Sequence, residues 1–358
     1  MNHPTFRFLK SSFFPPKRWV FFLAILFLAT FSMAQEDSLK QEKKESFRAM
    51  FYNVENYFDA FDDPLIDDSE YLPNGMRNWN YSRFIKKRNN IYKIILAVGG
   101  WSPPAIIGLC EIENYFVLKQ LVYETPFSKF DYRIVHQESP DRRGIDVALL
   151  FDPKIFQLIT HQAIPINFPD NPESKTRDIL YAQGIVFGTD TLHIFVNHWP
   201  SRYGGELSSE SRRHFVAAEL AKHVDAILLK NKEANILIMG DFNDTPTDQS
   251  IKEILKAGDL SKENRLVNLM RNYSGNLSGT NKFNGDWAIL DQMMVSPALV
   301  AKENNFFVEG DAQIFNSAFL MEKDTKFLGN RPFRTFLGMK YSGGFSDHLP
   351  VFVDFHEK

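Results

Sequence analysis

The feature that most constrains this chain is a recurrence of short apolar runs, each closed by a compact polar cluster. Residues 48–53, 105–110, 130–136, 145–151, 182–187, 192–198, 236–240, 290–295 and 350–355 are rich in aliphatic and aromatic side chains. Several show little polar–apolar alternation, the pattern of strands covered on both faces. Two longer stretches carry helical spacing. Residues 81–98 place Phe84, Ile91, Ile94, Ile95 and Val98 on one stripe, and residues 209–229 turn Phe215, Ala218, Leu220, Val224, Ile227 and Leu228 inward. A shorter helix is expected over 249–256, a hairpin turn at Gly188-Thr189-Asp190, and long loops over 60–80 and 310–344. Covered strands interleaved with amphipathic helices predict an α/β fold. No Pro-rich or Gly/Ser-rich linker divides the chain after residue 46, so one domain is expected over residues 47–358.

The N-terminus reads differently. Arg7, Lys10, Lys17 and Arg18 precede an apolar run over 19–29, and Ser32-Met33-Ala34 fits a small-x-small cleavage site. The run is too short to span a bilayer comfortably. It predicts a signal peptide over 1–34, cleaved near Ala34, and a polar tether over 35–46. Export to the periplasm or the medium is the expectation, with no transmembrane segment in the mature chain. The leader carries no acidic residue, so the remainder is more acidic than the full chain's formal charge of −3. That balance announces no large basic field. The one cysteine, Cys110, excludes an internal disulfide and a cysteine-based zinc site. The mature chain must be held by its core. Nothing points to a stable protein partner, and a monomer is expected.

The polar clusters are the candidate site. Asn53 and Glu55 follow the first run, Glu111 and Glu113 the second, and Asn197 and His198 the run at 192–198. Asp241, Asn243 and Asp244 close the run at 236–240, and Asp347 and His348 precede the last. In α/β sheets, loops at strand ends build the ligand site. The segments that carry the clusters are Tyr52-Asn53-Val54-Glu55-Asn56, Gly108-Leu109-Cys110-Glu111-Ile112-Glu113-Asn114, Arg143-Gly144-Ile145-Asp146-Val147-Ala148, Asn197-His198-Trp199-Pro200-Ser201-Arg202, Gly240-Asp241-Phe242-Asn243-Asp244 and Ser346-Asp347-His348-Leu349-Pro350. In that order, over about residues 47–356, they resemble the endonuclease/exonuclease/phosphatase superfamily with its DNase I-like fold, and most of all its exported bacterial branch. The resemblance implies a four-layer sandwich, two packed mixed β-sheets flanked by helices.

It also implies hydrolysis of phosphoesters with a divalent metal, Mg²⁺ or Mn²⁺. Such a hard cation takes oxygen ligands. By the resemblance, Glu111 is the first metal ligand, with Asn53 beside it as ligand or orienter. Asp241 positions the attacking water, and Asn243 points to the same side. His348 holds the phosphoryl group with Asp291 as its carboxylate partner, which frees Asp347 to approach the metal. His198, paired with Asp146, would protonate the leaving oxygen. Arg202 and Arg177 are the expected phosphate ligands, because a guanidinium fork suits phosphate oxygens. Glu55 and Glu113 are expected at the surface. The expected function is a phosphodiesterase acting on nucleic acid, with a small-molecule or lipid phosphoesterase as the alternative. A non-catalytic binding module would show a broken site, and every position is filled.

Overall fold

A computed structural model describes residues 1, 45–202, 205–273, 278–302 and 304–358. The leader and nearly all of the tether lie outside the described residues. Strand β1 (Ser46–Tyr57) is followed by helix α1 (Tyr81–Gly99), β2 (Ile106–Ile112), helix α2 (Tyr115–Tyr123), β3 (Arg133–His136) and β4 (Asp146–Phe151). Then come β5 (Phe156–Ile164), β6 (Ile179–Val186), β7 (Asp190–His198), helix α3 (Glu206–Lys230) and β8 (Asn235–Asp241). The short β9 (Ala257–Gly258) and β10 (Leu266–Asn268) precede a hairpin of β11 (Asn281–Phe283) and β12 (Asp286–Ala288), and then β13 (Asp291–Val295). Helix α4 (Pro297–Ala301), β14 (Phe306–Val308) and β15 (Gln313–Ile314) lead to two more hairpins. These are β16 (Met321–Lys323) with β17 (Asn330–Pro332), and β18 (Phe336–Leu337) with β19 (Lys340–Tyr341). Strand β20 (Val351–Glu357) comes last.

The first large sheet runs β14-β20-β1-β2-β4-β3, with β15 against β20; the second runs β5-β6-β7-β8-β13-β10-β9. Both are mixed. Strands β1 and β2 are parallel, as are β7 and β8, while β1–β20 and β8–β13 are antiparallel. Parallel neighbours need a crossover, which α1 and α3 supply.

Side-chain alternation builds the layers. On β1, Ala49 and Phe51 enter the core between the sheets, where they join Val196, Leu237, Met239 and Met293. Met50 and Tyr52 point the other way, into a core with Phe84, Ile91 and Ile95 of α1 and Leu118 of α2. Phe195, Ile236 and Ile238 of the second sheet pack against Val216, Leu220 and Val224 of α3. The result is helix on sheet on sheet on helix, the four-layer sandwich expected from sequence.

Local differences have local causes. Strand β5 has no counterpart in the sequence reading: it is an edge strand, mostly exposed, and its Gln, Thr and His residues hide the apolar signal. Helix α2 was likewise not expected. Residues 249–256 form one wide turn at Ser250–Ile254 instead of a regular helix. The long segment over 310–344 is not featureless, since it folds into the β16–β17 and β18–β19 hairpins.

Gly240, at the end of β8, leaves no room for a side chain. A Cβ there would lie 2.6 Å from both Asn197 Cβ and Asn197 O on the adjacent β7. Gly240→Ala should therefore lower the unfolding free energy by about 1–3 kcal/mol, the usual cost of overpacking. Urea denaturation of the two proteins checks this.

Candidate active site

The polar strand ends converge on one edge of the sandwich. His198, Asp241 and Asp291 are register partners across β7, β8 and β13. Asn53 lies on β1 of the other sheet, opposite Cys110. Its Nδ2 donates to Asp241 Oδ2 at 3.0 Å and to Glu111 Oε1 at 3.3 Å. The first of these bonds joins the two sheets. The Glu55 N–H donates to Asn53 Oδ1 at 2.9 Å and so fixes the orientation of the amide.

Glu111 sits at a register slip in the pairing of β2 with β4, at φ +61°. A bulge of this kind re-aims a side chain out of strand alternation. The second Glu111 oxygen accepts the Asn56 N–H at 2.8 Å. Asp241 Oδ1 accepts the Asn243 N–H at 3.0 Å. Asn243 occupies the left-handed region, φ +51°, which asparagine tolerates better than most residues. Its Nδ2 donates to the Trp199 carbonyl at 3.1 Å.

Two imidazoles flank Asp241. His198 Nε2 lies 3.7 Å and His348 Nε2 3.8 Å from Asp241 Oδ2. His348 Nδ1 pairs with Asp291 Oδ2 at 2.7 Å. The His348 backbone N–H donates to Ser346 Oγ at 3.0 Å, and Ser346 Oγ donates to the Asn53 carbonyl at 2.8 Å. The loop before β20 is thereby pinned to β1.

The two histidines differ in charge. Burial opposes the His348 cation, but the carboxylates of Asp291 and Asp241 outweigh it and hold its pKa well above the usual imidazole value. For His198, burial acts together with the positive charges of Arg177 and Arg143 and depresses the pKa. Burial raises Asp241 to about 6.

Residues 48–357 match the endonuclease/exonuclease/phosphatase family. The chain belongs to that family. It is therefore a hydrolase of phosphoesters. A search of curated proteins gives no significant sequence match. Solved structures share the fold. The human nocturnin catalytic domain with bound sulfate superposes with a TM-score of 0.53 at 17% identity, covering 88% of this chain and 98% of its own. A mannosyl-6-phosphatase from Bacteroides thetaiotaomicron gives 0.54 at 16%, covering 86% and 99%. TDP2 from Caenorhabditis elegans gives 0.53 at 14%, covering 92% and 81%.

Within this family site, several sequence expectations need correction. Asp146 does not pair with His198. Its carboxylate accepts the Ser139 N–H at 2.8 Å and the Ser139 hydroxyl, and it meets His136 Nε2 at 3.2 Å. His198 Nδ1 is buried with no hydrogen-bond partner among the described residues. No carboxylate meets that nitrogen, and burial with Arg177 and Arg143 depresses the pKa, which favours the neutral ring over the expected cationic acid.

Neither expected phosphate ligand presents a free fork. Arg202 donates to the Asn243 carbonyl at 2.6 Å, to Asp248 at 2.6 Å and to Asp244 at 3.2 Å. Arg177 is buried and donates to Asp141 at 3.0 Å and to the Trp199 carbonyl at 2.5 Å. Both arginines brace the loops that carry His198 and Asn243. Asp347 lies at the site, but its carboxylate is engaged by Arg334 Nη2 at 2.5 Å. Burial would raise its pKa; Arg334, His348 and Lys87 hold it below the usual value.

Glu55 and Glu113, expected at the surface, are buried. The Thr335 N–H donates to Glu55 at 2.7 Å and Arg334 Nε at 3.4 Å. Burial and the nearby Asp347 charge raise Glu55 to about 6. Glu113 accepts the Asp59 N–H at 2.6 Å. Burial and the Asp59 charge push it to about 9, so it stays protonated at neutral pH and closes the turn after β1. Lys87 and Arg334, absent from the sequence reading, supply the compensating charge. Lys87 Nζ donates to Thr335 Oγ1 and to the Phe345 carbonyl, each at 2.6 Å. Its pKa falls to about 8, because burial outweighs the attraction of Glu55 and Asp347. It occupies the apolar stripe of α1 with Phe84 and Ile91, and that misplaced charge was a legible signal. Arg334 has none.

The donor set fits a divalent cation. Ligand atoms of Asp241, Asp291 and His348 lie within 4.8 Å of one another, and since His348 is paired with Asp291 the oxygen donors open to a cation are the carboxylates. Asp291 Oδ1 is buried without a hydrogen-bond partner, and Glu111 stands one amide away from Asp241. Carboxylate oxygens are the ligands that hard cations prefer.

The His348 pair should be visible in stability. A group whose folded pKa is raised stabilises the fold fully below its unfolded pKa, ~6.5 for histidine, and this is lost as pH rises through the folded value. Asp291→Asn should cost about 3–5 kcal/mol below pH ~6.5, as expected when a buried pair loses one partner. The difference from wild type should shrink toward alkaline pH. Urea titrations across that range check the sign.

Proposed function

We propose that this protein is an exported, Mg²⁺- or Mn²⁺-dependent phosphodiesterase that hydrolyses nucleic acid. The observation that carries the reading is the Asp241 carboxylate, held by Asn53 and flanked by two imidazoles, one with its pKa raised and one with its pKa depressed. Asp241 takes a proton from water as the water oxygen bonds to phosphorus and the bond to the leaving oxygen breaks. The His348 cation, kept charged by Asp291, faces the negative charge that develops on the phosphoryl group. His198 offers a neutral ring that can donate or accept a hydrogen bond. Glu111 and Asp347, with Asn53 orienting Glu111, would hold the metal, which when bound neutralises charge on the phosphate and the leaving oxygen.

The choice of nucleic acid over a small monoester rests on His198, whose ring stands beside Asp241 where it can hydrogen-bond the alkoxide that leaves a diester. Beside Glu55 and Asn56 a cavity of about 290 Å³ is lined by Tyr71, Arg77, Arg334 and Phe336. Its Arg77 is paired with Glu70 and its Arg334 with Glu55 and Asp347, while Tyr71 and Phe336 are buried, so this cavity walls the centre without a free phosphate fork or stacking face. One of the structures that share the fold is a mannosyl-6-phosphatase, which keeps the monoester alternative open to test. Export is supported by the leader-like residues 1–34, and N-terminal sequencing of envelope or medium protein should begin at Gln35.

The deciding assay places plasmid DNA, single-stranded RNA, a nitrophenyl phosphate monoester and an inositol phosphate side by side at fixed Mg²⁺. The nucleic acids should be cut faster than either monoester loses phosphate. A chelator should abolish turnover and Mg²⁺ restore it. Intact DNA and RNA with rapid monoester hydrolysis would move the protein to the phosphatase reading, and full turnover in chelator would overturn the metal assignment.

A further inference from the structure

On the other flank of the catalytic edge, a second cavity of about 320 Å³ is lined by Phe168, Lys175, Thr176, Arg177, Pro200 and Arg212, among others. Its charge is one-sided. Lys175 and Arg212 are exposed, and among the described residues no carboxylate lies within ion-pair distance of either. Among the described residues the Arg212 guanidinium meets the Phe168 ring alone, 5.9 Å to its centroid. Two cations on one concave surface without a counter-charge repel each other and attract an anion.

The wall behind them also has unspent hydrogen-bonding capacity. Thr176 Oγ1 and Arg177 Nε are buried and have no hydrogen-bond partner among the described residues. Buried donors of that kind are rare in folded proteins and call for an explanation. Phe168 and Pro200 give the same cavity an apolar side. The cavity is wired to the reaction centre through one atom: the Trp199 carbonyl accepts from Arg177 Nη2 at 2.5 Å and from Asn243 Nδ2 at 3.1 Å.

We infer that this cavity is a second anion subsite, which binds the phosphate next to the scissile one while Phe168 and Pro200 carry its sugar or base. Lys175 and Arg212 supply the charge. The inference rests on the nucleic-acid reading and extends it: the substrate then spans at least two phosphates, and the arginine expected to grip phosphate, Arg177, shapes the subsite from behind.

The test is the double variant Lys175→Gln/Arg212→Gln of the mature chain, with its thermal midpoint as the folding control. At fixed Mg²⁺, KM is measured for a 5′-phosphorylated dinucleotide, which has two phosphates, and for bis(p-nitrophenyl) phosphate, which has one. The ratio of the two KM values should rise roughly tenfold in the variant, the scale of one lost charge-assisted contact. Calorimetric titration with inorganic phosphate is the second arm, and the wild type should show one more phosphate site than the variant. If no diester is cleaved but the variant loses a phosphate site, the nuclease reading falls and the anion subsite stands. An unchanged KM ratio together with unchanged phosphate stoichiometry overturns the subsite.

Discussion

One hydrogen bond holds the site together: Asn53 Nδ2 to Asp241 Oδ2, 3.0 Å. Asn53 belongs to the first sheet and Asp241 to the second. The bond forms only when the two sheets pack in the correct register, so the large apolar interface between them is also what assembles the chemistry. The same amide reaches Glu111, and Ser346 ties the His348 loop to the Asn53 carbonyl. Residues from β1, β2, β8 and the loop before β20 therefore take their positions from a single asparagine.

That arrangement concentrates acid. Asn53, Glu55, Asp241, Asp291 and His348 are all buried. Burying an isolated charge is costly unless it is paired. The fold meets this cost from distant parts of the chain, with Lys87 from α1 and Arg334 from the segment between β17 and β18. Asp291 is matched by His348 across the sheet edge. The site keeps its acidic character while Lys87, Arg334 and His348 offset part of the charge.

The sequence carried the layers, the strand ends and the identity of the central residues, because those depend on local pattern: apolar runs, turn residues and short motifs in a fixed order. It did not carry side-chain partnerships that depend on which element is nearest in space. Asp146 sits on the first sheet, and a ladder partner's neighbour, His136, takes it before His198 on the second sheet can. Arg202 is captured by Asp244 and Asp248, acids of the loop after β8. Glu55 looks like a surface glutamate until Arg334, 279 residues away, closes over it. Strand β5 escaped notice for a different reason, since one of its edges faces solvent and its side chains are polar.

Nocturnin, TDP2 and a mannosyl-6-phosphatase share this fold with the chain. On the proposed mechanism, activity depends on Asp241 receiving the proton of the attacking water. The most direct measurement is the rate of bis(p-nitrophenyl) phosphate hydrolysis at saturating Mg²⁺ by wild type and Asp241→Asn, which keeps the shape and removes the charge. The account predicts a loss of ~10²–10⁴-fold, the range of general acid–base groups, with the thermal midpoint at or above that of wild type because a buried charge has gone. An Asp241→Asn enzyme that hydrolyses the diester at the wild-type rate would contradict it.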